Sequence, residues 1–193
     1  MQQAPQASVG TSQRYTVVAV VLHWLIALAI LTMLASGLTM AYGDLQGPFK
    51  FQLYQWHKSL GVIVLWLVLI RLAWRLTHKP PALPAAIPHW EQVGAHIGHW
   101  LIYAAILVMP LSGWLLVSSS STGLPTIVFN LFQWPHIPGV AGNRIVHDLA
   151  AQTHGWTAWT LIALLGGHVL AVVVHYYKEH VNLLARMWFG GEK

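Results

Sequence analysis

Residues 153–177 read THGWTAWTLIALLGGHVLAVVVHYY, a single apolar run with His154 at its start and His168 deep inside it. A run of this length and polarity predicts a membrane-spanning helix. The two histidines stand fourteen positions apart (154 and 168). On a helix that puts them within about 40° of one face and about 21 Å apart along the axis. Imidazole in hydrocarbon costs free energy unless it is paired or ligated, so an intramembrane histidine is a functional candidate. Two stacked on one face at opposite depths suggest two buried cofactors, one near each surface.

Composition agrees with that reading. Of 193 residues, 56% are hydrophobic and 8% charged, with a mean hydropathy of +0.56, whereas a soluble domain carries about 25% charged residues. The chain contains no cysteine, which excludes disulfides, cysteine-ligated iron–sulfur clusters and covalently attached c-type haem. Twelve histidines and eleven tryptophans are unusual abundances. Tryptophan favours membrane interfaces, and histidine is the commonest metal ligand. The net charge of +5 is assigned to loop lysines and arginines that set orientation, and no nucleic-acid binding is read into it.

Working outward, residues 1–13 are polar and predict a disordered tail rather than a signal peptide, because the apolar run that follows is of full length. Three more spans are expected at about Val17–Met40, Leu53–Leu76 and Val93–Val117, carrying His23, His57, and His96 with His99 respectively. Gly47 and Pro48 are read as breakers between the first two spans, and Pro110 as a kink point in the third. Residues 118–152 form the longest connector, with an apolar patch at 127–134 expected to lie on the membrane surface and a helix starting at the N-cap Asn143. No internal repeat stands out. The expected architecture is an all-α membrane protein: a four-transmembrane-helix bundle over residues 14–187, followed by a short tail, 188–193.

Four spans put both termini on one side. That side collects Arg14, Arg71, Arg75, Lys79, Lys178, Arg186 and Lys193, against Lys50, Lys58 and Arg144 opposite, so the positive-inside rule places both termini in the cytoplasm. Depth then sorts the histidines into two pairs, His23 with His168 near the cytoplasmic surface and His57 with His154 near the outer one. Axial ligation by one imidazole from each of two helices is how a helical bundle holds b-type haem. Gly61, Gly166 and Gly167 allow a flat macrocycle close to the backbone. Arg71 falls on the face of His57 near the cytoplasmic pair, where it would meet a haem propionate or else snorkel to the surface. His96 and His99 compete for the role of His23 or His168 or serve as proton relays to a quinone, and His175 is a further candidate at the membrane edge. His78, His89, His136, His147 and His180 are expected to be solvated.

At RYTVVAVVLHWL around His23, LYQWHKSLGVIVLWLVLIRLAWR around His57, AHIGHWLIY, and THGW with GGHVLAVVVHYY around His154 and His168, the chain resembles the bacterial cytochrome b561 family, relatives of the cytochrome b subunits of nickel hydrogenases and formate dehydrogenases. The resemblance spans residues 14 to about 187. It implies a di-haem protein of the bacterial inner membrane, with His23 and His168 on one haem b, His57 and His154 on the other, and quinone as a redox partner. One branch resembles a superoxide oxidase, in which superoxide at the outer face reduces ubiquinone through the haems; Lys50 and Lys58 would attract the anion. The expected function is transmembrane electron transfer from a small-molecule or protein donor to quinone, with membrane lipid around it. Two alternatives stand beside it: a haem-bearing anchor for a dehydrogenase subunit, and a histidine-based proton or metal-ion transporter.

Overall fold

The computed structural model describes residues 14–189. Four helices are long and apolar enough to cross a membrane: α1 (Val17–Tyr42), α2 (Gly47–Thr77), α3 (His89–Ser118) and α4 (Arg144–Lys178). A short helix α5 (Leu183–Arg186) follows. In hydrocarbon each backbone amide must be satisfied within its own segment, and helices do that locally. Caps fix the starts: Thr16 accepts from Ala19 N, and Asn143 accepts from Val146 N. The expected tail at 1–13 and residues 190–193 lie outside the described residues. Trp188, in the expected C-terminal tail, packs edge-on against Trp24 with ring centres 5.5 Å apart.

Two boundaries differ from expectation, for one reason. α2 begins at Gly47 rather than near Leu53, and Pro48 sits in its first turn. α3 likewise starts directly after Pro88. Proline's missing N–H is no loss in a first turn, where that donor has no helical partner, so proline opens these helices instead of stopping them. Pro110 lies inside α3, which continues through it.

The helices pack in chain order, α1 on α2, α2 on α3, and α3 on α4. The core is one cluster with a contribution from every span: Ile26 and Ile30, Val64 and Val68, Ala105 and Ile106, and Leu161. It lies at mid-bundle, between the depth of His23 and His168 and that of His57 and His154. With lipid as apolar as leucine, close packing rather than water exclusion holds such helices together. The two described ends of the chain meet at one end of the bundle. Tyr15 N donates to Arg186 O at 3.4 Å, and Trp24 Nε1 donates to Met187 O at 2.7 Å.

The long connector, expected as a loop, contains regular structure, and apolar side chains at Ile127, Phe129, Leu131 and Phe132 are exposed on it. It holds a two-stranded antiparallel hairpin, β1 (Thr126–Val128) and β2 (Phe132–Trp134). Phe129 and Asn130, both at positive φ (44° and 60°), make the turn, a tight reversal whose handedness matches strand twist. Ser59 of α2, 1% exposed, anchors the hairpin: its hydroxyl contacts Ile127 O at 3.1 Å and accepts from Phe129 N at 3.2 Å. Lys58 donates to Pro125 O at 3.0 Å. The lysine expected to attract an anion is thus engaged with the loop.

At the end where the termini meet, a buried polar cluster fastens α3 to α4. His175 Nδ1 lies 2.9 Å from Glu179 Oε2 and 3.4 Å from Glu91 Oε2, and Lys178 Nζ lies 3.2 Å from Glu91 Oε1 and 3.1 Å from Glu179 Oε1. The possible ligand atoms of Glu91, His175 and Glu179 fall within 4.8 Å of one another. Because Lys178 stands against both carboxylates, the group is an ion-pair clasp rather than a cation site. His175, a sequence candidate for redox or proton chemistry at the membrane edge, is 8% exposed and held in this clasp.

Burial raises the Glu179 carboxyl, but hydrogen bonds from His175 and Lys178 outweigh it and hold the group below its ordinary 4.5. A lowered carboxylate contributes stability above its unfolded-state value and loses it as pH falls through the folded value. Wild type should therefore melt higher than Glu179→Gln at neutral pH, with the gap closing below about pH 4.5. Melting both proteins in detergent across that range checks it; a gap independent of pH would contradict the clasp.

Candidate functional site

His57 on α2 and His154 on α4 face one another near the end of the bundle that carries the hairpin. Their ring centres are 6.3 Å apart and their planes 75° apart. Each ring has its Nδ1 engaged by a neighbouring helix. Ser36 Oγ of α1 lies 2.9 Å from His57 Nδ1. For His154 Nδ1 the partners are Ser112 Oγ at 3.2 Å and the Met109 carbonyl at 3.0 Å, both on α3. Nε2 makes no hydrogen bond in either ring. Glycines make room for both: a Cβ on Gly37 would stand 3.4 Å from His57 Cε1, and one on Gly113 3.1 Å from His154 Cε1.

Beside this pair an apolar cleft of about 180 Å³ opens between α1 and α4, with His57, Gly61, Pro110, His154 and Trp159 in its lining. Whether the residues fit an axially ligated iron can be tested on distances. Two metal–imidazole bonds of about 2 Å, plus about 1.1 Å from each nitrogen to its ring centre, span about 6.2 Å. The observed 6.3 Å fits. So do the engaged Nδ1 atoms, which point each ring's remaining nitrogen at the shared space.

His23 on α1 and His168 on α4 stand at the other end, again with ring centres 6.3 Å apart, and with planes 69° apart. This pair meets the same distance test. His99 of α3 also approaches His168, but at 5.4 Å between centres, about 0.8 Å too short for an intervening metal on the same reckoning. Arg71 lies within electrostatic reach of His23, His99 and His168. Its Nε donates to the Tyr103 hydroxyl at 3.0 Å and its Nη1 to Ala19 O at 3.4 Å. A cavity of about 490 Å³ adjoins it, lined by Arg14, Arg71, Arg75 and Lys79, with no carboxylate in its wall among the described residues.

The structure thus brings together His23 with His168 and His57 with His154, and sets Arg71 at the end that holds His23 and His168. His96 is exposed and bonded to its own helix through Gln92 O at 2.7 Å. Two histidines expected to be solvated are not: His147 bonds Leu116 O at 3.2 Å, and Nε2 of His136 is buried without a partner. Gly166 and Gly167 have open space beside them, and Gly37 and Gly113, which the sequence reading passed over, lie against the rings of His57 and His154. Ser36 and Ser112 were missed as well. Their signal was there to find, since residues 33–37 read MLASG and 109–113 read MPLSG. That short repeat is hidden by apolar surroundings.

Known proteins point the same way. The model of the prokaryotic cytochrome b561 family matches residues 14–190. A protein named cytochrome b561 homolog 2 of Escherichia coli (strain K12) is 30% identical over 179 residues, covering 92% of this chain and 93% of its own. A probable superoxide oxidase CybB of Yersinia pestis is 29% identical over 181 residues, 91% of this chain and 96% of its own. Cytochrome b561 homolog 1 of Escherichia coli (strain K12) is 26% identical over 180 residues, 90% of this chain and 96% of its own.

Proposed function

Because the chain belongs to the prokaryotic cytochrome b561 family, a family of multi-pass bacterial inner-membrane electron carriers built on b-type haem, we propose that it moves electrons across the membrane through two bis-histidine haems. His57 and His154 would hold the outer haem, and His23 and His168 the inner one. The observation that carries this is the repeated 6.3 Å separation of ring centres at two depths of one bundle. When bound, each haem supplies reversible one-electron chemistry at iron.

The chain's own residues do the rest. His57 and His154 present Nε2, because Ser36, Ser112 and Met109 O occupy their Nδ1 atoms. The cluster of Ile26, Val64, Ile106 and Leu161 excludes water between the two levels. Arg71, steadied by Tyr103 and Ala19 O, offers its remaining N–H donors to an anionic haem propionate at the inner end. Loop charge puts both termini, and so the inner pair, on the cytoplasmic side.

For the donor we favour superoxide at the outer face and for the acceptor ubiquinone, a reading supported by the name of the Yersinia pestis relative. The balance is simple: two superoxide anions each give one electron and leave as dioxygen, and two electrons with two protons convert ubiquinone to ubiquinol.

Replacing His57 or His154 by alanine should remove about half of the b-type absorbance of the reduced protein and leave the remainder, and a His23 or His168 replacement should remove the complementary half. Loss of all absorbance, or of none, from any single replacement would break the pairing. Mixed with ubiquinone and a superoxide source, the purified protein should form ubiquinol at a rate that follows the superoxide supply. Ubiquinone left oxidised, together with a stoichiometric dehydrogenase subunit co-purifying with the chain, would make it a membrane anchor instead.

A further inference from the structure

The duplicated segments 33–37 (MLASG) and 109–113 (MPLSG) occupy equivalent places in the fold. Each lies on the helix that precedes a histidine-bearing helix, α1 before α2 and α3 before α4. In each, the serine hydroxyl bonds the carbonyl of the methionine three residues earlier, Ser36 to Met33 O at 3.0 Å and Ser112 to Met109 O at 2.9 Å. The same hydroxyl meets the histidine of the next helix at Nδ1. The glycine that follows supplies the flat surface against which that histidine's Cε1 rests.

Proton counting bears on what these contacts are. His154 Nδ1 lies 3.0 Å from Met109 O, and a carbonyl has no proton to give, so Nδ1 of that ring donates. His57 meets only the Ser36 hydroxyl, whose single proton can go to Met33 O or to the ring. With Nε2 of His57 on a metal the neutral ring keeps its proton on Nδ1, which then donates to Ser36 while the hydroxyl proton goes to Met33 O. On the ligand reading both rings thus donate through Nδ1 and keep a lone pair on Nε2.

The inner pair has no such arrangement. Among the described residues, neither His23 nor His168 makes a hydrogen bond through its ring, and the charged neighbour there is the cation Arg71.

We propose that Ser36 and Ser112 are matched positioning residues for the outer histidine pair, which orient both rings and make the outer haem the more reducing of the two. This rests on the ligand reading proposed above. A donated Nδ1–H raises the basicity of an imidazole ligand, and a more basic ligand favours ferric over ferrous iron. Arg71 favours the ferrous form at the inner end, since a cation stabilises the state with one more electron. The two effects act in the same direction, so an electron entering at the outer face moves inward downhill.

The test is a potentiometric titration of Ser36→Ala, Ser112→Ala and the double variant, with both haems followed by α-band absorbance and by the electron paramagnetic resonance of each ferric centre. Full haem content, an outer couple shifted to higher potential, an altered outer resonance and an unmoved inner couple are the expected result. Ser36→Ala should shift the outer couple more than Ser112→Ala, because His154 keeps Met109 O as an acceptor whereas His57 loses its one Nδ1 partner among the described residues. Ser36→Thr, which keeps a hydroxyl, should titrate close to wild type. Selective loss of the outer haem in an alanine variant, restored by threonine, would equally support positioning. An outer couple that stays in place in haem-replete variants, or two couples that move together, would overturn the inference while leaving the haem assignment intact. Wild-type protein lacking b-type absorbance would instead overturn the functional reading beneath it.

Discussion

An imidazole among hydrocarbon side chains has two ring nitrogens to satisfy and no water to satisfy them. That constraint shapes this bundle. At the level of His57 and His154, Nδ1 is engaged by a hydroxyl or carbonyl from the adjacent helix, which turns Nε2 toward the facing ring. An unpaired buried polar group costs about 1–3 kcal/mol, so four such rings without partners would be a heavy load on a bundle held by packing alone. Coordination by a metal would remove that cost, so a bound cofactor would add to the stability of the fold as well as supply its chemistry.

The rest of the architecture keeps the two levels apart and distinct. The central cluster draws from all four spans and separates the histidine pairs by several layers of aliphatic side chains. At 35 residues, α4 is about 52 Å long, against about 30 Å of hydrocarbon. Near its start His147 bonds Leu116 O of α3, and the connector is tied to the same end of α3 by Ile137 N donating to Ser118 Oγ. The opposite end carries the charge. The Glu91–His175–Lys178–Glu179 clasp binds α3 to α4, while Arg14, Arg71, Arg75 and Lys79 surround a cavity with no acidic counterpart among the described residues.

Hydrogen bonding and charge thus divide the two levels. Neutral oxygens hold the His57 and His154 rings, and a guanidinium stands beside His23 and His168.

The sequence by itself determined the number of spans, their order and the depth of each histidine. These follow from properties local to one segment: apolar length, rise per residue and the position of a residue within its run. Depth alone was enough to predict that His23 would meet His168, and His57 would meet His154. Tertiary structure decided which neighbour each side chain reaches. Ser36 and Ser112 against Nδ1, Gly37 and Gly113 beneath the rings, Ser59 beneath the hairpin, and His175 in an ion-pair clasp all depend on how each helix is rotated about its axis. Helices that are apolar nearly all round carry no stripe from which that rotation could be read, so only packing against the other helices sets it.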